Sequence, residues 1–356
     1  MTSDIQLEVS PLPLALRHAF RIAHGTSHER TNALLTLSCR NNLNVKGLGE
    51  AALPPYYPWT ISDVEAYIRS LPLESLDVSV AAHDSVRDWL EHLPDGPATA
   101  RAAVDMAVHD AWARHRGESL HVALGLEGRQ LPTSTYALPI PESLTELDRM
   151  LSNASGFPFL KLKLGSGDPA YDVDVVRHAR KRYSGSLCAD VNSGWSIDEA
   201  CECIAALGGC ALEFIEQPVE DGWQELNDRL QERVPAHCRA PLVADESVQD
   251  LESIRALAPH VDGINIKLAK CGGISGALPQ VRLARQLNLK CMLGCMIESS
   301  IALTAAAHIG ALFDWLDLDG TMHTAADPFE GLLYRSGDIT LPAAAGLGVR
   351  PRRAPV

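Results

Sequence analysis

SLCADVNSG (186–194), ALEFIEQP (211–218) and APLVADES (240–247) share one construction, a short apolar run that closes on an acid. The acids are Asp190, Glu216 and Asp245, and their numbers differ by 26 and 29, close to one strand-plus-helix unit. Repeats of that length lay strands side by side and parallel, with their C-terminal ends on one rim. Lysine-bearing runs flank the set at similar spacing, FLKLKLG (159–165) with Lys161 and Lys163, and VDGINIKLA (261–269) with Lys267. Further out, TSTYALPI (133–140) precedes these runs, and KCMLGCMIE (290–298) and WLDLDG (315–320) follow them. Eight strands alternating with helical stretches predict an α/β fold, a (β/α)8-type (modified TIM) barrel, over residues 126–324.

The first 125 residues read differently. IQLEV, ALRHAFRIA, NALLTLSC and NVKGLGEAAL alternate as strands around polar turns such as CRNNLN (39–44), and 61–71, 81–93 and 98–116 carry helical periodicity. In the last of these, Ala103, Met106, Ala107 and Ala111 recur along one face. This predicts an α+β capping domain over 1–125, completed by the Pro/Gly/Ala-rich tail 325–356.

With 356 residues and 46% hydrophobic content the chain can bury a large core. A formal charge of −14 argues against nucleic-acid binding, which needs clustered cations, and favours a small-molecule partner. Apolar runs fall short of a membrane span, and MTSDIQLEVSPLPLAL has neither the basic start nor the apolar core of a secretion signal. Nine cysteines without CxxC spacing read as reduced thiols; Cys201 and Cys203, two apart on a helix, diverge and are expected to be buried packing residues. A cytoplasmic location is expected. GLGEAAL and CGGISGA lack the strand, helix and downstream acid of a dinucleotide site, and His109 and His178 read as packing or surface residues on helices.

Three carboxylates without a thiolate or imidazole make a hard, oxygen-only set suited to Mg²⁺. Lys161 and Lys163 lie two apart in a strand and so share a face, the barrel mouth. Their mutual repulsion and desolvation are expected to lower their pKa values toward those of a working base. Lys267, four units later, stands on the opposite wall, so one carbon between the walls is open to a base from either side.

The KLK, ADVN, EQP, ADES and NIKLAKCGGI segments resemble the enolase superfamily, muconate-lactonizing subgroup, over nearly the whole chain. The resemblance implies that Asp190, Glu216 and Asp245 bind Mg²⁺, that Lys163 and Lys267 are the acid/base pair, and that Lys161 stabilises an enolate. The implied reaction is a 1,1-proton transfer that inverts a stereocentre. DWLDLDG (314–320) resembles the eighth strand of dipeptide epimerases, in which an acidic pair, here Asp317 and Asp319, holds the α-ammonium of a dipeptide whose C-terminal residue is inverted. Thr135, His24 and Glu298 are assigned with them to substrate binding, and a homo-oligomer is expected. N-acylamino acid racemase, o-succinylbenzoate synthase and cycloisomerase share the scaffold; their substrates leave Asp317 and Asp319 without an ammonium. A non-catalytic relative is disfavoured because all the named positions are intact.

The stretch FRIAHGTSHERTN (20–32) departs from the pattern for Ala-Glu substrates, which commonly has an Arg where His24 and Gly25 stand. Arg30, His24 or His28 are available to replace it. Glu29 would instead favour a cationic side chain, and Tyr56, Tyr57 and Trp59 an apolar one.

Overall fold

A computed structural model describes residues 5–39, 46–79, 83–235 and 238–352. Eight parallel strands form the central sheet in chain order: β4 (Tyr136–Leu138), β5 (Phe159–Lys163), β6 (Ser186–Asp190), β7 (Leu212–Glu216), β8 (Leu242–Ala244), β9 (Gly263–Lys267), β10 (Lys290–Gly294) and β11 (Trp315–Asp317). A parallel bridge between Ser134 and Leu316 joins the two outer strands and closes the barrel. The crossovers are α5 (Leu144–Asn153), α6 (Pro169–Arg182), α7 (Ile197–Leu207), α8 (Trp223–Arg233), α9 (Leu251–Leu257), the pair α10 (Leu268–Cys271) and α11 (Ile274–Gln286), and α12 (Ser300–Ile309). Cys201 and Cys203 are buried on α7. No helix among the described residues is long and apolar enough to cross a membrane.

Strand alternation sorts side chains by depth. Leu160 and Leu162 face the helices, whereas Phe159, Lys161 and Lys163 face the barrel axis. Phe159, Cys188, Phe214, Val243, Met292 and Trp315 fill the lower end as a separate apolar cluster, with the Phe214 and Trp315 rings 4.7 Å apart. Above this plug the same strands present charge. Register aligns Lys163 with Asp190 and Asp190 with Glu216, while Lys267 and Asp317 both align with Gly294.

The cap is a three-stranded antiparallel sheet, β1 (Ile5–Ile22), β2 (Gly25–Cys39) and β3 (Lys46–Ala51), with α1 (Ile61–Arg69), α2 (His83–Glu91) and α3 (Ala98–Arg116). IQLEV and ALRHAFRIA are one strand with a register shift between Ala15 and Phe20. FRIAHGTSHERTN is therefore mostly strand, and only the turn at Ala23 and His24 is loop. The expected turn CRNNLN lies outside the described residues apart from Cys39. Helix α3 is buried on nearly every side from Thr99 to Ala113 because it lies between β3 and the barrel helices α10 and α11. Its small residues let the backbones approach: a Cβ on Gly49 would stand 1.9 Å from Ala103 O, and one on Gly47 equally close to Ala107 O.

Buried carboxylates join cap and barrel. Asp105 of α3 accepts Ile274 N (2.6 Å) and Ser275 N (3.1 Å) at the start of α11. Glu50 of β3 accepts Ser299 N and Oγ (3.1 and 2.5 Å) at the start of α12. Both use the unpaired amides of a helix N-terminus. The tail runs back to α3, where Leu347 N donates to Asp110 Oδ1 (2.7 Å) and Arg114 to Val349 O (3.1 Å). Gly49→Val should force β3 off α3 and cost about 1–3 kcal/mol or more, measured by urea unfolding; unchanged stability would contradict this packing.

Candidate active site

The charged layer of the barrel opens into a cleft roofed by the cap. Lys163, Asp245, Lys267, Lys270, Asp317 and Asp319 line its floor and walls, and Phe20, Ile22, Arg30, Asn32, Tyr56 and Tyr57 come from the cap. Asp190, Glu216 and Lys161 lie just beneath, each at most 1% exposed. A charge at such depth persists only with partners. Lys161 Nζ lies 2.6 Å from Glu216, 2.7 Å from Asp317 and 3.1 Å from Asp190. Lys163 Nζ lies 2.6 Å from Asp190, and Lys267 Nζ 2.6 Å from Asp245.

This pairing reverses the expectation for the lysines. Burial pulls their pKa values down, but the carboxylates outweigh it, and Lys161, Lys163 and Lys267 are all raised. Repulsion between Lys161 and Lys163 is real but smaller, because Asp190 sits between them. Among the acids, burial raises each. Lys163 and Lys161 then bring Asp190 down to about 2, whereas for Glu216 burial and the neighbouring Asp190 prevail and push it up to about 8. Asp245 is lowered, its burial overcome by Lys267 and Lys270.

Three neighbours were not assigned from sequence. Lys270, on the first turn after β9, donates to Asp245 Oδ1 (2.5 Å) and Asn265 O (3.1 Å). Asn265 Nδ2 donates to Glu216 Oε1 (2.6 Å), and Asn192 bridges Lys163 (3.2 Å) and Glu246 (2.9 Å). Asn265 was within reach of sequence reasoning, since it lies two residues before Lys267 on the same strand face.

The residues assigned to substrate binding separate into two groups. Asp317 and Asp319 face the cleft. Thr135 does not line it; its Oγ1 donates to Asp317 Oδ1 at 2.5 Å and so fixes that acid. Asp317 Oδ2 accepts from Lys161, while Asp319 Oδ2 accepts from Ala137 N (2.6 Å) and pairs with His323 (2.9 Å). Glu298 is also set back: its Oε2 accepts Met296 N (3.0 Å), and burial and the nearby Glu50 push it up to about 8. His24 sits at the rim, 3.7 Å from Glu246, which raises its pKa.

Residues 5–125 match the mandelate racemase / muconate lactonizing enzyme N-terminal domain, and residues 144–354 the enolase C-terminal domain-like family. The chain belongs to the enolase superfamily. It is 32% identical to the L-Ala-D/L-Glu epimerase of Bacteroides thetaiotaomicron over 95% of this chain and 86% of that protein. With the hydrophobic dipeptide epimerase of Roseobacter litoralis it shares 37% identity over 75% of this chain and 76% of the other. Among solved structures, the dipeptide epimerase from Cytophaga hutchinsonii complexed with Mg and D-Ala-L-Val superposes with a TM-score of 0.88 at 26% identity, covering 99% of this chain and 97% of that one.

Removing Lys161 would leave three buried carboxylates short of a cation. Lys161→Met should lower stability in chelator at neutral pH by about 3 kcal/mol or more, read from urea unfolding. The deficit should shrink as pH falls and the acids take up protons. A variant as stable as the parent would contradict the pairing.

Proposed function

We propose that the chain is a dipeptide epimerase that inverts the α-carbon of the C-terminal residue by two-base 1,1-proton transfer, with Mg²⁺ as cofactor. One observation carries the reading: Lys163 and Lys267, four strands apart in an eight-stranded barrel, line one cleft together with Asp317 and Asp319. An α-carbon between the two walls can lose a proton to whichever of Lys163 and Lys267 is present as the neutral amine and gain one from the ammonium of the other on the opposite face.

Asp190, Glu216 and Asp245 fit the ion by their chemistry. All are fully buried oxygen donors on adjacent strands, and Glu216 Oε2 makes no hydrogen bond although it lies close to Lys161. Among the described residues no three His, Cys, Asp or Glu side chains are gathered as tightly as a metal requires; here the acids turn to the lysines. When bound, Mg²⁺ would draw electron density from the substrate carboxylate and acidify the neighbouring C–H. The chain's own groups do the rest. Lys161, paired with three acids and set beneath the cleft rather than in its wall, offsets charge that builds on the substrate. Asp319 has both its protein partners on Oδ2, which leaves Oδ1 for a substrate ammonium. That unmatched oxygen favours a dipeptide over an N-acyl amino acid.

A dipeptide library incubated in D₂O with Mg²⁺ should gain α-deuterium at the C-terminal residue, and chelation by EDTA should stop it; full exchange in excess EDTA would contradict the cofactor. N-acetylation of a good substrate removes its cation and should cost at least ~2–3 kcal/mol in kcat/KM. Asp319→Asn should narrow that gap. Equal rates for the free and acetylated compounds would replace this reading with N-acylamino acid racemisation.

A further inference from the structure

We propose that His323 is a positioning residue: by gripping one oxygen of Asp319 it fixes the plane of that carboxylate and presents the other oxygen, Oδ1, to the α-ammonium of the substrate. This rests on the epimerase reading above. The two acids at the end of the last barrel strand differ in what the fold leaves them. Asp317 has both oxygens engaged, Oδ1 by Thr135 (2.5 Å) and Oδ2 by Lys161 (2.7 Å). Asp319 is held on Oδ2 alone, by Ala137 N at 2.6 Å and His323 Nε2 at 2.9 Å. An ionised carboxylate can only accept, so Nε2 carries the proton of that contact.

The local fold makes His323 a rigid donor. Asp319 precedes a single helical turn, Gly320–His323, which brings residue 323 back over the residue four positions earlier. The imidazole is then wedged between barrel and cap. It stacks on Tyr136 of β4, with ring centres 5.2 Å apart and planes 16° apart, and meets the Phe20 ring of β1 edge-on at 4.7 Å. Tyr136 is backed in turn by Phe157 at 4.3 Å. Rotation about the last bond of an aspartate is broad and roughly two-fold, so Ala137 N alone would anchor one oxygen and leave the plane free to turn. A second donor on the same oxygen, from a ring that cannot swing away, removes that freedom. Burial raises the pKa of Asp319, but His323 and then Ala137 N outweigh it and lower it, which keeps the negative charge that an ammonium needs. Pre-set geometry of this kind governs how well a shielded charge pair forms.

The test measures kcat and KM by α-deuterium incorporation in the Mg²⁺-loaded parent, His323→Phe and His323→Gln. Phe keeps a ring between Phe20 and Tyr136 but has no donor, whereas Gln keeps an N–H at similar reach but has no ring. The substrates are the library dipeptide that the parent exchanges fastest and its N-acetyl derivative. His323→Phe should lower kcat/KM for the free dipeptide by ~10-fold or more, mostly through KM, and for the acetylated one by far less. His323→Gln should hold the parent's preference for the free amine to within about 3-fold. His323→Leu, which also lacks a donor, takes the place of His323→Phe if urea unfolding shows that variant to be misfolded. If the donorless variant keeps the parent's preference or loses both substrates equally, or if His323→Gln loses the preference as fully, the inference is overturned while the epimerase reading stands. If the parent exchanges no dipeptide of the library, or takes the acetylated compound equally well, the epimerase reading falls and takes this inference with it.

Discussion

Everything at the mouth of this barrel depends on neutralising charge that has been removed from water. Lys161 is the hub: at 1% exposure it touches acids from three different strands, β6, β7 and β11. The hub is a geometric consequence of parallel register, which puts Lys163, Asp190 and Glu216 at one level and sets Lys161 two residues lower on β5, within reach of acids no more than two strands away on either side. The plug of Phe159, Phe214, Met292 and Trp315 holds that level in place from beneath. A carboxylate array built on strand ends is rigid, whereas the groups that would select a substrate come from the cap.

The cap is fastened by the same physics. Asp105 and Glu50 supply buried negative charge to the N-terminal ends of α11 and α12, and Asp110 to the returning tail. These are strong contacts because each buried carboxylate finds several N–H or O–H donors. They set the β1–β2 hairpin over the rim, so that Phe20, Ile22, Arg30 and Asn32 complete a cleft whose base belongs to the barrel.

The barrel was legible in the sequence because period-two strands ending on acids or lysines repeat at the length of a βα unit, and all eight strands appear in the observed sheet. The residues at the rim were legible for the same reason. The lysine pKa values were not, because sequence shows that Lys161 and Lys163 are neighbours but not that Asp190 lies between them. Lys270 was passed over because its approach to Asp245 depends on a single helical turn after β9. The long β1–β2 hairpin reads as three strands, IQLEV, ALRHAFRIA and NALLTLSC, because Pro11 and Pro13 stand between the first two runs, although β1 continues through them. Thr135 and Glu298 were assigned to the ligand, but depth in the fold sets both behind the cleft wall, a dimension that strand spacing does not carry.

The central claim is that Lys163 and Lys267 serve opposite faces of one carbon. It is tested most directly by following α-deuterium incorporation into the two separate diastereomers of one dipeptide with Lys163→Ala and Lys267→Ala. Each variant should lose epimerisation by ~10³-fold or more, and any exchange that survives should be confined to one diastereomer, a different one for each variant. Near-parental epimerisation by either folded variant, or the same diastereomer exchanged by both, would contradict the account.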